Sequence, residues 1–320
     1  MKILIPELIH PRALERLRAE HEVLFDPTLF MRQEELLDAA QDAHALIVRN
    51  RTQVRGELLH ALGECRAVGR LGVGLDNIDV AGCQARRIEV IPAIGANARS
   101  VAEYVVTCAM LLLRYSHYSV SDALAEGHWI RPAKPEGREA RGCTLGLVGF
   151  GSIGQLTGRL ASRLDMRVVA YDPAFRPETS IDFKCEMLPL SELLASSDVV
   201  SLHIPLMPET RHLINAERLA MMRPDAVLIN AARGGIVDEA ALARALTGRM
   251  LQAAALDVFD DEPLPGGSVL VGVPNLLLTP HVAGVTADSE LRVCELVADR
   301  ILGVLKAMSG AADVLPRAPQ

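Results

Sequence analysis

The sequence predicts an α/β protein with two doubly wound parallel-sheet domains. Three observations carry that expectation. Short apolar, β-branched runs alternate with amphipathic stretches along nearly the whole chain, the pattern of parallel strands joined by crossover helices. A glycine-rich turn separates one such strand from the helix that follows it. At 320 residues, half of them hydrophobic, the chain is long enough for two cores.

The first hundred residues contain five candidate strands, Lys2–Ile5, Glu22–Phe25, Ala45–Val48, Ala67–Leu71 and Glu89–Ile91. Helical patterns fall between them, Arg32-Gln-Glu-Glu-Leu-Leu-Asp-Ala-Ala being one. A long helix then opens, with Ser100 expected as N-cap and Glu103 at the capping-box position, and is expected to run to about Glu126, where Gly127 ends it. The Pro/Gly-rich loop from Arg131 to Arg141 follows. Further strands are expected at Thr144–Val148, Arg167–Tyr171, Val199–Leu202, Val227–Asn230, Gln252–Leu256 and Leu276–Leu278. A closing helix from about Asp288 to Met308 has no strand after it and could return to the first domain.

The stretch Cys143 to Asp172 implies a nucleotide. A buried strand ends at Val148, Gly149-Phe-Gly151-Ser-Ile-Gly154 follows at once, an amphipathic helix runs to about Leu164, and the next strand ends at Tyr171 with Asp172 at its tip. Gly149, Gly151 and Gly154 allow a tight turn, close approach of a pyrophosphate and close helix–strand packing. The helix amino terminus offers free N–H groups and a partial positive charge to phosphates. Asp172 suits the adenosine ribose hydroxyls, which favours NAD, although Arg176 nearby could offset its charge.

Three polar residues follow later strand runs: Arg233, Glu262 and His281. Ligands of open α/β sheets bind beyond the carboxyl ends of strands, so these groups can share one crevice. A guanidinium fork suits a carboxylate, and an imidazole can give or take the proton of an alcohol–ketone interconversion. Glu262 would favour the imidazolium and orient the ring. Arg49, Arg51 and Arg70 likewise fall at or just beyond strand ends in the first domain.

Composition narrows the alternatives. The net charge of −7, with no Lys/Arg cluster, argues against a nucleic-acid surface. Six scattered cysteines with no CxxC spacing read as small hydrophobes of a reducing, cytoplasmic compartment, and no metal framework is expected. The first strand is too short for a signal-peptide core, and the apolar stretch Tyr104–Leu113 is too short to span a bilayer, so no membrane partner is expected.

The ordered motifs Gly72-Val-Gly-Leu-Asp-Asn-Ile-Asp79, Asn97 to Glu103, Gly149 to Gly154, His203-Ile-Pro205, Asn230-Ala-Ala-Arg-Gly-Gly-Ile-Val-Asp238, Leu256-Asp-Val-Phe-Asp-Asp-Glu-Pro263 and Thr279-Pro-His-Val-Ala-Gly284 resemble the D-isomer-specific 2-hydroxyacid dehydrogenases, over essentially the whole chain. The nearest branch resembles the 3-phosphoglycerate dehydrogenases. Leu46 to Thr52 and Gly69 to Asp76 also resemble the sulfolactate and malate dehydrogenases of the family.

The resemblance implies a Rossmann cofactor domain, residues 99–285, inserted in a smaller flavodoxin-like substrate domain, residues 1–98 and 286–320. It implies a homodimer through the long helix and the loop after it. It assigns Arg233, Glu262 and His281 to catalysis. The cofactor would touch Ser152, Ile153, His203, Ile204, Pro205, Ala231, Ala232, Arg233, Asp257, His281 and Gly284, besides the glycines and Asp172. Substrate would touch Arg233 and His281, the N–H groups of Val73 and Gly74, and Arg51, with Arg49 and Arg70 matching positions that bind a distal phosphate. Asn97 and Arg99 fit either a hinge or a ligand contact, and His128, His212 and Trp129 read as structural or interfacial. The implied activity is NAD-dependent hydride transfer to and from a 2-hydroxy/2-oxo acid with a second anionic group, 3-phosphoglycerate, 3-sulfolactate or malate in type. A reductase of monoanionic acids (glyoxylate, hydroxypyruvate, D-lactate) and a non-catalytic NAD-responsive corepressor-like scaffold stand as alternatives.

Overall fold

The computed structural model of the chain describes residues 1–114, 124–129, 137–175 and 181–312. Arg176, the middle of the expected long helix and most of the loop after it lie outside the described residues. The chain folds into two compact units, residues 1–97 with 285–320, and residues 98–284.

The first unit holds β1 (Lys2–Ile5), α1 (Pro11–Glu20), β2 (Glu22–Phe25), α2 (Gln33–Ala40), β3 (Ala45–Val48), α3 (Gly56–Ala61), β4 (Ala67–Arg70), α4 (Val80–Ala85) and β5 (Glu89–Pro92), and the C-terminal helix (Ala287–Ala312). Its strands form one parallel sheet in the order β2-β1-β3-β4-β5, the flavodoxin-like arrangement. Strand alternation divides the core in two. Ile3, Ile5, Ala45, Ile47 and Ala67 face α1 and the C-terminal helix. Leu4, Leu46, Val48 and Val68 face α2, α3 and α4. Gly69 is required there: a Cβ would meet Val297 of the C-terminal helix at 2.5 Å.

The second unit holds α5 (Ala98–Leu112), β6 (Thr144–Val148), α6 (Ser152–Ser162), β7 (Arg167–Tyr171), β8 (Cys185–Met187), α7 (Leu190–Ser196), β9 (Val199–Leu202), α8 (Ala216–Met221), β10 (Val227–Asn230), α9 (Glu239–Thr247), β11 (Ala253–Leu256) and β12 (Leu276–Leu278). Seven parallel strands run in the order β12-β11-β10-β9-β6-β7-β8. Every residue of β6, β9, β10 and β11 is buried, as expected of parallel strands covered on both faces. Helices α5 and α6 line one face, and α7, α8 and α9 the other. The direction of chain progression reverses between β6 and β9, so the crevice at their carboxyl ends is the ligand position of a doubly wound sheet.

Two local expectations need correction. The long helix begins at Ala98 and ends at Leu112, with a turn at residues 113 and 114, well before the expected Glu126, and Ser100 lies within its first turn as a buried residue instead of capping it. Strand β8 carries no sequence signal, because it is three residues long and both Glu186 and Met187 are exposed.

Candidate active site

The glycine-rich turn has a separate reason for each glycine. Gly149 has φ +95, and a Cβ there would overlap the His203 carbonyl at the end of β9. A Cβ on Gly154 would overlap the Gly149 carbonyl, so the first turn of α6 packs directly on the loop. A Cβ on Gly151 would meet nothing within 4 Å. Gly151 is also the N-cap of α6, and no side chain caps the helix. The first-turn N–H groups at Ser152, Ile153 and Gly154 therefore face a space that a side chain would fill, which fits the pyrophosphate of a dinucleotide. Ile153 also packs on the core below.

Asp172 is locked at the tip of β7. Its Oδ2 accepts from the Phe150 N–H at 2.8 Å and its Oδ1 from the Ala174 N–H at 2.8 Å. The carboxylate thereby joins the glycine loop to the strand end where a ribose would sit. His203 continues β9, its N–H donating to the Val148 carbonyl and its Nε2 3.0 Å from Ser201 Oγ. Burial pushes its pKa down to about 4, so the ring is neutral at working pH. Ile204 packs on the core beside it, and the Pro205 carbonyl accepts from Thr210 Oγ1 at 2.7 Å.

The turn after β10 is shaped by Asn230. Its Oδ1 accepts from the Ala232 N–H at 3.1 Å and its Nδ2 donates to the Arg233 carbonyl at 2.9 Å. Ala231 and Ala232 pack on opposite core faces. The Arg233 side chain, half-buried, folds back so that Nη1 donates to the Ala232 carbonyl at 2.6 Å. Gly234 presses on the Phe259 carbonyl, where no Cβ would fit, and brings this turn against the loop after β11. Asp238 then caps α9 through the Ala241 N–H at 2.8 Å.

Glu262 divides its carboxylate. Oε1 accepts from the Phe259 N–H at 3.1 Å, which fixes the side chain to its own loop. Oε2 is 2.7 Å from His281 Nδ1. A carboxylate accepts, so Nδ1–H donates to it and Nε2 is the ring nitrogen outside this bond. The imidazole is half-exposed.

His281 stands in the left-handed region, with φ +55. For a non-glycine residue that conformation needs outside support. Asp257, buried at the end of β11, supplies it. Its carbonyl accepts from the His281 N–H at 2.8 Å. Its Oδ1 accepts from Thr279 Oγ1 at 2.5 Å and the Val282 N–H at 2.8 Å, and its Oδ2 from the Ala283 N–H at 2.8 Å. The carboxylate is thus largely committed to the loop that carries His281 and ends at Gly284. The sequence assigns Asp257 to the cofactor and gives no sign of this clamp, or of Tyr104, whose OH is 2.7 Å from Thr279 Oγ1.

In the other unit, Arg49 follows β3 and its Nη2 lies 3.3 Å from Glu290 Oε1. Arg51 stacks over the Phe30 ring, 5.4 Å from its centroid. Arg70 ends β4, its Nη1 donating to the Leu71 carbonyl at 3.1 Å and lying across Gly72, where a Cβ would overlap it. Val73 ends the bend that follows β4, and Val73 and Gly74 are half-buried. No local sequence signal shows how the loop after β3 is held. The buried Glu7 carboxylate accepts from the N–H groups of Arg49 at 2.9 Å, Arg51 at 3.2 Å and Thr52 at 3.0 Å. From the other side Asn77 Nδ2 donates to the carbonyls of Arg49 at 3.0 Å and Thr52 at 2.8 Å.

The family model of the D-isomer specific 2-hydroxyacid dehydrogenase NAD binding domain matches residues 106–283. The chain belongs to that family. It is 48% identical over 306 residues to an (S)-sulfolactate dehydrogenase of Chromohalobacter salexigens, an alignment covering 94% of this chain and 98% of the relative. It is 40% identical over 269 residues to a D-3-phosphoglycerate dehydrogenase of Mycobacterium bovis, covering 84% of this chain and 50% of that protein, so this chain matches about half of its length. The TT0316 protein of Thermus thermophilus has the same fold, with a TM-score of 0.83 at 34% identity, covering 96% of this chain and 97% of the other. The chain is an NAD-dependent oxidoreductase of the 2-hydroxyacid dehydrogenase class. No helix among the described residues is long and apolar enough to cross a membrane.

Proposed function

We propose that the chain interconverts a 2-hydroxy acid and its 2-oxo acid, with a phosphate, sulfonate or carboxylate at C3 as a second anion. The observation that carries the substrate class is the pair of arginines, Arg49 and Arg70, at the carboxyl ends of the adjacent strands β3 and β4, remote in sequence from Arg233. With Arg233 read as serving the carboxylate next to the reacting carbon, a separate pair of cations suits a second negative group. The sulfonate and phosphate substrates in the names of the two relatives above support the same class.

Bound NAD would lie on the Gly149–Gly154 turn with its ribose on Asp172, near His203, Ile204, Pro205, Ala231, Ala232 and Gly284, and would supply or accept the hydride. The protein's own residues handle the rest. In the reductive direction His281 Nε2 donates a proton to the nascent alkoxide, and in the oxidative direction it takes one. Glu262 orients the ring and balances its charge. Arg233 holds the substrate carboxylate and draws charge from the neighbouring carbonyl. Val73 and Gly74 offer backbone N–H groups to the carboxylate. Residues 98–284 act as the cofactor domain and the remainder as the substrate domain.

A homodimer in the cytoplasm completes the reading. Exposed Met110 on α5, together with Leu124 and Trp129 after it, supports a face for a second copy. Light scattering should give twice the mass of one chain.

A second reading, a reductase of monoanionic acids, is favoured by the internal engagement of Arg49 with Glu290 and of Arg51 with Phe30. Reduction of a panel of 2-oxo acids with NADH separates the two. Arg49→Ala should weaken a dianionic substrate by about tenfold or more, the worth of one charged hydrogen bond, and leave pyruvate nearly unaffected. Preference of the wild type for glyoxylate or pyruvate over every dianion would replace the first reading by the second.

A further inference from the structure

We infer that Tyr104 and Thr279 are positioning residues for His281, acting as a hydrogen-bond relay from helix α5 to the catalytic loop. The inference rests on His281 being the proton donor and acceptor.

The direction of the relay follows from its end. The Asp257 carboxylate only accepts, so Thr279 Oγ1–H donates to it at 2.5 Å. The Thr279 hydroxyl has no second proton, so at 2.7 Å the Tyr104 O–H must donate to Thr279 Oγ1. Burial pushes the Tyr104 phenol pKa above its ordinary value, which keeps that proton in place at any working pH. Each bond polarises the next in a half-buried chain that ends on the buried Asp257, so the chain is worth more than its separate links.

The far end of the relay supports the backbone of the catalytic loop. Asp257 accepts the N–H groups of Val282 and Ala283 through its carboxylate and that of His281 through its carbonyl. Those bonds hold a non-glycine residue at φ +55. The ring direction depends on them, and with it the 2.7 Å bond from Nδ1 to Glu262. Tyr104 comes from the buried side of α5, and Thr279 follows β12, so neither residue need touch the substrate. A loss of the relay should therefore leave binding intact and misdirect Nε2.

The test measures kcat and KM with NADH and whichever of pyruvate, glyoxylate, hydroxypyruvate, oxaloacetate and sulfopyruvate the wild-type chain reduces fastest. Thr279→Val should lower kcat about 10- to 100-fold, the scale of a catalytic group misplaced by about 1 Å. KM and the NADH dissociation constant should stay within about threefold of wild type, because Arg233 and the glycine turn, the main binding groups, are untouched. Thr279→Ser, which keeps the hydroxyl, should restore most of the loss. Tyr104→Phe should lower kcat about three- to tenfold alone and add nothing in the Thr279→Val background, since links in series are not additive. Additive losses in the double variant, or a loss confined to KM or melting temperature, would overturn the relay. So would unchanged kcat in Tyr104→Phe, which does not depend on Thr279→Val folding. His281→Asn is run in parallel. Retained turnover there would instead overturn the acid–base reading on which the relay rests.

Discussion

Replacing Gly151 by alanine separates cofactor binding from folding more sharply than any other single change in the glycine loop. Gly151 has ordinary backbone angles, φ −75 and ψ −162, and a Cβ there meets nothing within 4 Å. Alanine reduces the freedom of the unfolded chain, worth about 0.4–1 kcal/mol in favour of folding, and costs roughly 0.5–1.5 kcal/mol relative to glycine at an N-cap, so the two largely offset and net stability should change by about 1 kcal/mol or less. Bound cofactor meets a different situation. The methyl group would occupy the space above the uncapped N–H groups of α6 and push the pyrophosphate away from them. Losing one or two charged hydrogen bonds, at about 1.5–3 kcal/mol each, weakens NADH by roughly 10- to 10⁴-fold. Thermal denaturation gives the first quantity and a fluorescence titration with NADH the second. Gly154→Ala is the contrasting control, because its Cβ overlaps the Gly149 carbonyl and should destabilise the apo protein itself. Wild-type NADH affinity in Gly151→Ala would show that the pyrophosphate does not lie on this loop.

Three further outcomes are expected. Asp172, held at both oxygens by backbone N–H groups, cannot swing away from a 2′-phosphate, and like-charge contact of several kcal/mol should make kcat/KM for NAD about 100-fold or more above that for NADP; equal values would refute its role. Arg233→Lys keeps the charge but loses the fork, so kcat/KM should fall about 10- to 100-fold with both KM and kcat affected, and unchanged kinetics would exclude carboxylate binding by Arg233. His203 has its folded pKa depressed to about 4 against an ordinary 6.5, so the unfolded chain binds the extra proton between those values. Folding stability should be complete above about pH 6.5, decline as pH falls towards 4 by on the order of 1–3 kcal/mol, and lose nothing more to this group below that. Denaturant titrations of wild type and His203→Gln should differ in slope with pH only across that window.

Local patterns made most of the fold legible. Runs such as Ala45–Val48 and Val227–Ile229 are apolar throughout because both sides of each strand are covered, and the expected bounds Ala45–Val48 and Val227–Asn230 match the structure. The three-residue β8, with two exposed side chains, offers no such pattern. The start of α5 was obscured because Ser100 has the composition of a cap while its burial reflects helix packing that no local signal contains. The candidate site divides in the same way. The glycine turn, Asp172, Glu262 and His281 sit in short motifs that name their own strand ends. The clamps do not. Glu7 reaches residues 42 to 45 positions away and Asp257 reaches 22 to 26, so their partners are fixed only by sheet order. The stack of Arg51 on Phe30 is likewise invisible until the turn before α2 and the loop after β3 have come together.

The way Glu7 grips the loop after β3 has a consequence for how this scaffold can change. It holds the segment through amide groups alone, and every residue except proline carries one. The path of the chain is therefore indifferent to what projects from positions 49 and 51. Side chains at those positions can be exchanged for others of different charge, length or shape while the frame keeps its course. A carboxylate buried out of sight of any ligand thus separates the evolution of what the loop recognises from the evolution of how it is built.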